Sequence, residues 1–306
     1  MKRMLITGGT GFIGSNLCKE FYDKYGVTSF SDCGRVSPLF NKTGVKNIKG
    51  STSDVICLDS AIKYNDIVIH CAGITGIDKV LEDPYSAIVS NIQGIINVID
   101  TVSRSRIIRH CIIFSSGEAL GTNTKIKEGF AQYPLYDDRW CYGISKLVAE
   151  YLSLSRFRTA QTPITVVRPF NVYGPGQVGG GAIRTFILQA LKNELITING
   201  DGSQVRSWCY IDDFVQGIRL IVENPDLCIG KVFNIGNSQT VISILELAKL
   251  VVEFLNSKSQ IDFVKAPFVD VEYRVPDITE ISKLGFHNVT NLKLGILNTA
   301  EYFRNI

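Results

Sequence analysis

Five short runs in the first half of the chain are almost wholly apolar and rich in β-branched residues: 4–7, 27–30, 66–70, 110–114 and 164–168. Each is bounded by glycine or polar residues, which is the signature of short strands. Between them lie longer stretches, 12–25 and 83–102, whose apolar positions recur at helical spacing. That alternation predicts a parallel sheet with helices on both faces. Past Arg168 the pattern loosens. A Gly- and Pro-rich loop is followed by an amphipathic stretch at 182–194, strand-like runs at 196–200 and 205–211, and an amphipathic helix at 243–256. The expected organisation is a nucleotide-binding domain over 1–168 and a smaller α/β region over 169–306, some segments of which return to the core.

Composition narrows the class. The formal charge is only +3 over 306 residues and the Lys and Arg residues form no long block, so nucleic acid is not the expected partner. No apolar run approaches membrane-spanning length. The opening MKRMLITGGTG runs straight into a glycine-rich turn and reads as a first strand, not a signal peptide. Eight cysteines include no C-x-x-C pair and several lie inside apolar strands. That usage predicts reduced thiols, a cytoplasmic protein and no metal site.

The candidate chemistry begins at Thr7-Gly8-Gly9-Thr10-Gly11-Phe12-Ile13-Gly14, between a strand and a helix. Glycines 8, 11 and 14 permit a tight turn, close approach of backbone to a pyrophosphate, and packing of helix on strand. The next strand ends at Ser31-Asp32, where a carboxylate can accept from ribose hydroxyls and would repel a 2′-phosphate. NAD is therefore expected over NADP, with Arg35 close behind as a countering charge. Further on, Tyr142 and Lys146 stand four apart at the start of a helical stretch and share a face. An ammonium beside a phenol lowers its pKa and makes a general base. Between these motifs, the run at 110–114 delivers Ser115, Ser116 and Glu118 to a strand end.

With these motifs the chain resembles the extended short-chain dehydrogenase/reductase family of enzymes that modify nucleotide-linked sugars. The likeness continues through His70-Cys71-Ala72-Gly73, Asn91-Ile92-Gln93-Gly94, 168–175 (RPFNVYGP), 200–206 (GDGSQVR), 210–213 (YIDD) and Arg274-Val275-Pro276-Asp277. It implies a Rossmann-type doubly wound sheet with a smaller C-terminal substrate-binding region. NAD would be bound by Gly8, Thr10, Gly11, Phe12, Ile13, Gly14, Asp32, Ala72, Tyr142 and Lys146. Tyr142 would remove a proton from a sugar hydroxyl, usually at C4, with Lys146 tuning it and Ser116 holding the reacting oxygen. Asn171, Arg206 and Arg274 match positions that hold the nucleotide diphosphate. The helical stretches 84–104 and 138–157 match those that pair into a homodimer's four-helix bundle. Two departures stand out: Ser51 replaces an aspartate that contacts adenine, and Leu120 replaces a tyrosine.

The resemblance leaves the outcome open after C4 oxidation. Dehydratases of the family carry an acid or hydroxyl directly after the serine or threonine, where this chain has Gly117. The expected order is a 4-epimerase or related C4 oxidoreductase, then a UDP-glucuronate-type decarboxylase, then a 4,6-dehydratase. Glu118 is read either as a proton-handling group or as a solvated or hydrogen-bonded carboxylate supporting its loop. The alternative of another class is a non-catalytic dinucleotide sensor.

Overall fold

The computed structural model describes residues 1–122, 133–134, 136–266 and 270–306. Strands β1 (Arg3–Thr7), β2 (Gly26–Ser31), β3 (Lys46–Lys49), β4 (Ile67–His70), β5 (His110–Phe114) and β6 (Ile164–Pro169) join a strand at Val232–Ile235 in one parallel sheet. Its order is Val232–Ile235, β6, β5, β4, β1, β2, β3. The run at 27–30 is thus extended by one residue at each end. Two members of the sheet, β3 and Val232–Ile235, are not among the runs read from the sequence.

The strand cores are buried on both faces, which explains why they read as continuous apolar runs. Side chains alternate across the sheet. Met4, Ile6, Ile67, Ile69, Ile112, Phe114 and Val167 enter one core, whereas Leu5, Val68, Cys111, Ile113, Ile164 and Val166 enter the other. The second core is closed by the helix Pro84–Arg104, which presents Ile95, Val98, Ile99 and Val102. That helix starts cleanly: Asp83 caps it by accepting from the Ser86 amide, and Pro84 occupies its first turn.

The C-terminal half brings Ala182–Lys192, Ile211–Glu223 and Ile244–Phe254 against the first core. The run at 205–211 is not one strand. It splits into Val205–Ser207 and Cys209–Tyr210, and Ile211 already begins a helix. Val205–Ser207 pairs with two partners, Val241–Ser243 and Tyr273–Arg274, setting Arg206 directly beside Arg274.

Chain order reverses on either side of β1, whose neighbours are β2 and β4. In an open parallel sheet this switch point leaves a crevice beyond the carboxyl ends of the strands.

Candidate active site

A cavity of about 710 Å³ fills that crevice. Its floor is the turn after β1. The Gly8 amide donates to the Phe30 carbonyl at 2.8 Å and the Gly11 amide to the Gly8 carbonyl at 3.0 Å. Helix α1 (Phe12–Phe21) follows, with no side chain capping its N-terminus. Its first amides therefore face the cavity as an anion site, reinforced by the helix dipole.

The three glycines do different jobs. A Cβ on Gly14 would fall 2.2 Å from the Gly8 carbonyl oxygen, and one on Gly8 (φ +68°) 2.8 Å from the Ala72 backbone. Both are packing requirements of the protein itself. A Cβ on Gly11 would meet only the Gly8 oxygen, at 3.3 Å, and so would project into space left for a ligand. The residues present fit a dinucleotide's pyrophosphate.

The remaining cofactor candidates gather on the same cavity. Thr10, Phe12, Ile13, Asp32 and Ala72 all line it. Thr10 is buried and its hydroxyl bonds Ser31 at 2.7 Å, locking the turn to the end of β2. Asp32 is exposed and, among the described residues, accepts only from the Gly34 amide, at 2.9 Å. Arg35 reaches across to the Thr75 carbonyl at 3.2 Å. Ser51 lines the cavity, while nearby Asp54 is taken up as a helix cap for Val55–Ile62. His70 is buried against Thr7 at 2.8 Å, and burial, then the Lys146 charge, hold its imidazole neutral with a pKa of about 3.

Ser116, Tyr142 and Lys146 line this cavity as well. Ser116 sits just past β5 and caps the short turn Gly117–Leu120, accepting from the Glu118 amide at 3.1 Å. Ser115, one position earlier, also lines the cavity, but its hydroxyl donates to buried Glu150 at 2.5 Å. Tyr142 and Lys146 lie on the first turns of Cys141–Ala160. The Ser116 side chain lies close enough to the Tyr142 phenol to favour its ionised form. Lys146 donates to the Phe114 carbonyl at 2.8 Å, with its Nζ 5.7 Å from the Tyr142 ring centre.

The electrostatics depart from the expectation drawn from the Tyr–Lys spacing. Burial dominates and pushes the Tyr142 phenol up to about 12, with Ser116 opposing the rise and Glu118 adding to it. Burial likewise brings the Lys146 ammonium down to about 8. In the protein alone burial, not Lys146, sets the state of Tyr142, while the Lys146 ammonium donates to the Phe114 carbonyl. The sequence shows the spacing of the pair but not the desolvation that outweighs it.

Asn91, quoted above only as part of a motif, has a clear task. It accepts from the Ile74 amide at 2.8 Å and donates to Ser145 at 3.2 Å, tying the loop after β4 to the Tyr142 helix. Gly117 also has a steric reason. A Cβ there would lie 2.8 Å from the buried Phe170 ring. The place where a dehydratase-type acid would stand is filled.

The other predicted residues form a separate cluster beside the cavity. Glu118 takes the second of its two readings, a hydrogen-bonded carboxylate: it contacts Arg274 and accepts from Arg139 at 2.7 Å. Burial pushes its pKa up, but those two guanidinium groups outweigh it and hold the carboxyl down at about 2. Arg139 also donates to Asp270 at 2.8 Å, and Asp270 accepts from Arg206 at 2.9 Å. Asn171, at φ +40°, donates instead to the Ser207 carbonyl at 2.8 Å. Asn171, Arg206, Arg274 and Glu118 are not among the cavity's lining residues. Asp270 carried no motif and was not foreseeable. Arg139 stood out in the sequence for its place before the tyrosine motif, in a run resembling the family's glucuronate decarboxylases, but not as a partner of Glu118.

Among the described residues no cluster of His, Cys, Asp or Glu is arranged to hold a metal ion. No helix there is long and apolar enough to cross a membrane.

Known proteins bear on this geometry. A family model described as the NAD dependent epimerase/dehydratase family matches residues 4–236. The UDP-N-acetyl-alpha-D-glucosaminuronate decarboxylase of Bacillus cytotoxicus is 29% identical over 330 residues, covering 100% of this chain and 98% of that protein. Among solved structures, the UDP-glucose 4-epimerase of Thermotoga maritima with UDP-glucose has a TM-score of 0.87 at 26% identity, covering 99% of each chain. An epimerase from Methanothermobacter thermautotrophicus shares the fold, with a TM-score of 0.90 at 23% identity over 99% of this chain and 92% of that one. With the glycine turn, the switch-point cavity and the Ser–Tyr–Lys constellation, this match settles the class: the chain belongs to the NAD-dependent epimerase/dehydratase family and is an NAD-using enzyme of the extended short-chain dehydrogenase/reductase type.

Proposed function

We propose that the protein oxidises a nucleotide-diphosphate sugar at C4 and re-reduces the ketone on its opposite face, a 4-epimerisation. The observation that carries this reading is the convergence of Ser116, Tyr142 and Lys146 on one cavity with no additional proton-transfer group at positions 117 and 118. Position 117 is filled by the Phe170 ring, and Glu118 is ionised and paired with two arginines. C4 chemistry needs one base and accurate positioning, whereas dehydration needs further acid and base help.

In this reading Ser116 holds the sugar's C4 oxygen and Tyr142 exchanges the hydroxyl proton. Bound NAD supplies the hydride acceptor and a positive nicotinamide charge. A phenol held near 12 needs such positive charge to act as a base near neutrality, and Lys146, largely protonated below its own pKa of about 8, contributes a second cation. Arg206 and Arg274 serve the diphosphate, since guanidinium groups match phosphate oxygens with paired donors.

Decarboxylation is the second reading. Arg139 and Arg274 already grip one carboxylate, that of Glu118, and the Bacillus relative named above is a decarboxylase. We further propose a homodimer through Pro84–Arg104 and Cys141–Ala160, which pack together and expose Tyr85, Val89 and Tyr151. None of the eight cysteines is in a disulfide, which supports a reducing compartment such as the cytoplasm.

Incubation with UDP-, dTDP- and GDP-sugars plus NAD, followed by mass spectrometry and NMR, tests the proposal. Unchanged mass with a new sugar signal is the expected result. Loss of CO2 would establish the second reading, and loss of water would overturn both. No change with any sugar despite bound NAD would point to a sensor.

A further inference from the structure

Five charged side chains from four separate segments form an alternating chain: Arg206, Asp270, Arg139, Glu118 and Arg274. Each carboxylate bridges two guanidinium groups, one on each oxygen. The Asp270 bonds measure 2.9 Å to Arg206 and 2.8 Å to Arg139, and the Arg139 bond to Glu118 measures 2.7 Å. The three arginine side chains are at most 9% exposed. Burial presses Arg206 toward losing its proton and Asp270 is the largest influence opposing that, against the charges of Arg274 and Arg139.

The chain's two ends do different things. Arg206 and Arg274 sit side by side on paired strands, where the proposed function needs the diphosphate held. Glu118 belongs to the turn capped by Ser116, and Arg139 lies one turn ahead of Tyr142. Asp270 is the link through which Arg206 is fastened to Arg139. Buried guanidinium groups of like charge stay together only when carboxylates are interleaved between them, and a fully bridged network orients every member.

We infer that Asp270 is a positioning residue of the substrate site: its carboxylate fixes Arg206 for the diphosphate and ties that arginine, through Arg139 and Glu118, to the Ser116 turn. This inference rests on the nucleotide-sugar reading above. It gives a role to a residue that no motif contains and that touches neither the cavity nor the proposed reacting atoms.

The test is calorimetric titration of UDP, dTDP and GDP into the NAD-loaded protein. The wild type is expected to bind at least one of them. Asp270→Asn should bind that nucleotide about tenfold more weakly, the size of one lost charge-assisted hydrogen bond, with NAD affinity unchanged as the check on folding. Asp270→Glu, which keeps the charge, should recover most of the loss. Arg206→Lys should weaken binding as well, and combining it with Asp270→Asn should add little, because both changes break one linkage. A merely structural role would make the two losses additive. Wild-type affinity in Asp270→Asn, additive losses, or an Asp270→Glu variant as weak as Asp270→Asn would each overturn the inference while leaving the proposed function intact. A wild type that binds none of the three nucleotides would overturn both.

Discussion

The dinucleotide cavity and the arginine–carboxylate cluster meet at the Ser116–Glu118 turn, yet they are built from opposite materials. The cavity's floor is backbone: three glycines, the uncapped amides of α1, and two strand ends locked by Thr10 and Ser31. The cluster is all side chain, with two carboxylates interleaved among three buried guanidinium groups. The first arrangement depends on the absence of atoms, the second on balance of charge. Damage to the two should therefore differ in kind: steric and insensitive to pH in the cavity, electrostatic and pH-dependent in the cluster.

The largest effect separates chemistry from both. Tyr142→Phe should lower turnover by about 10²-fold or more, the usual contribution of a general acid–base, while NAD stays bound. Undiminished turnover would remove Tyr142 from the reaction. Next comes the cluster. Glu118→Gln leaves Arg139 and Arg274 short of a counter-charge and should destabilise the fold by about 3–5 kcal/mol, read by denaturant unfolding. The carboxyl's pKa falls from 4.5 to about 2 on folding. Its stabilising contribution is thus complete above pH 4.5 and fades as pH drops toward 2. The difference between wild type and Glu118→Gln should shrink over that window, and a constant difference would show that Glu118 is not held as an ion.

The cavity's counterpart is Gly14→Ala, which drives a methyl into the Gly8 carbonyl. Overpacking of this kind costs about 1–3 kcal/mol, and NAD affinity should fall with it. Unlike Glu118→Gln, the loss should be the same at pH 4 and pH 7. The smallest effect is spectroscopic. In the protein without cofactor, the ultraviolet difference between wild type and Tyr142→Phe should show phenol ionisation near pH 12, not near 10. A step at or below 10 would mean that Lys146 governs Tyr142 even without NAD.

Legibility in the sequence followed the same division. The glycine turn is a local pattern of three glycines between one strand and the next helix, so spacing alone reveals it, even though Gly8 is also required by the distant Ala72 backbone. The Tyr142–Lys146 pair is equally local, fixed by one helix turn. Strands β1, β4, β5 and β6 were visible because burial on both faces demands unbroken apolar runs. β3, with the sequence KNIK, was not, because an edge strand needs no such run; Val232–Ile235, although apolar, lies outside the alternating first half of the chain. The run at 205–211 misled for a related reason: β-rich composition continues across a break that only the pairing of Val205–Ser207 with two other strands imposes.

What the sequence by itself determined is the cofactor turn, the succession of the main strands along the chain and the candidate side chains Ser116, Tyr142 and Lys146, all properties of residues close together along the chain. Only the tertiary structure decided their electrical state. Burial raised Tyr142 and lowered Lys146, Phe170 closed the space at Gly117, and two arginines from positions 139 and 274 converted Glu118 from a candidate acid into a fixed anion. Desolvation and Coulomb interactions depend on which distant residues come within a few ångströms, and the fold alone sets that.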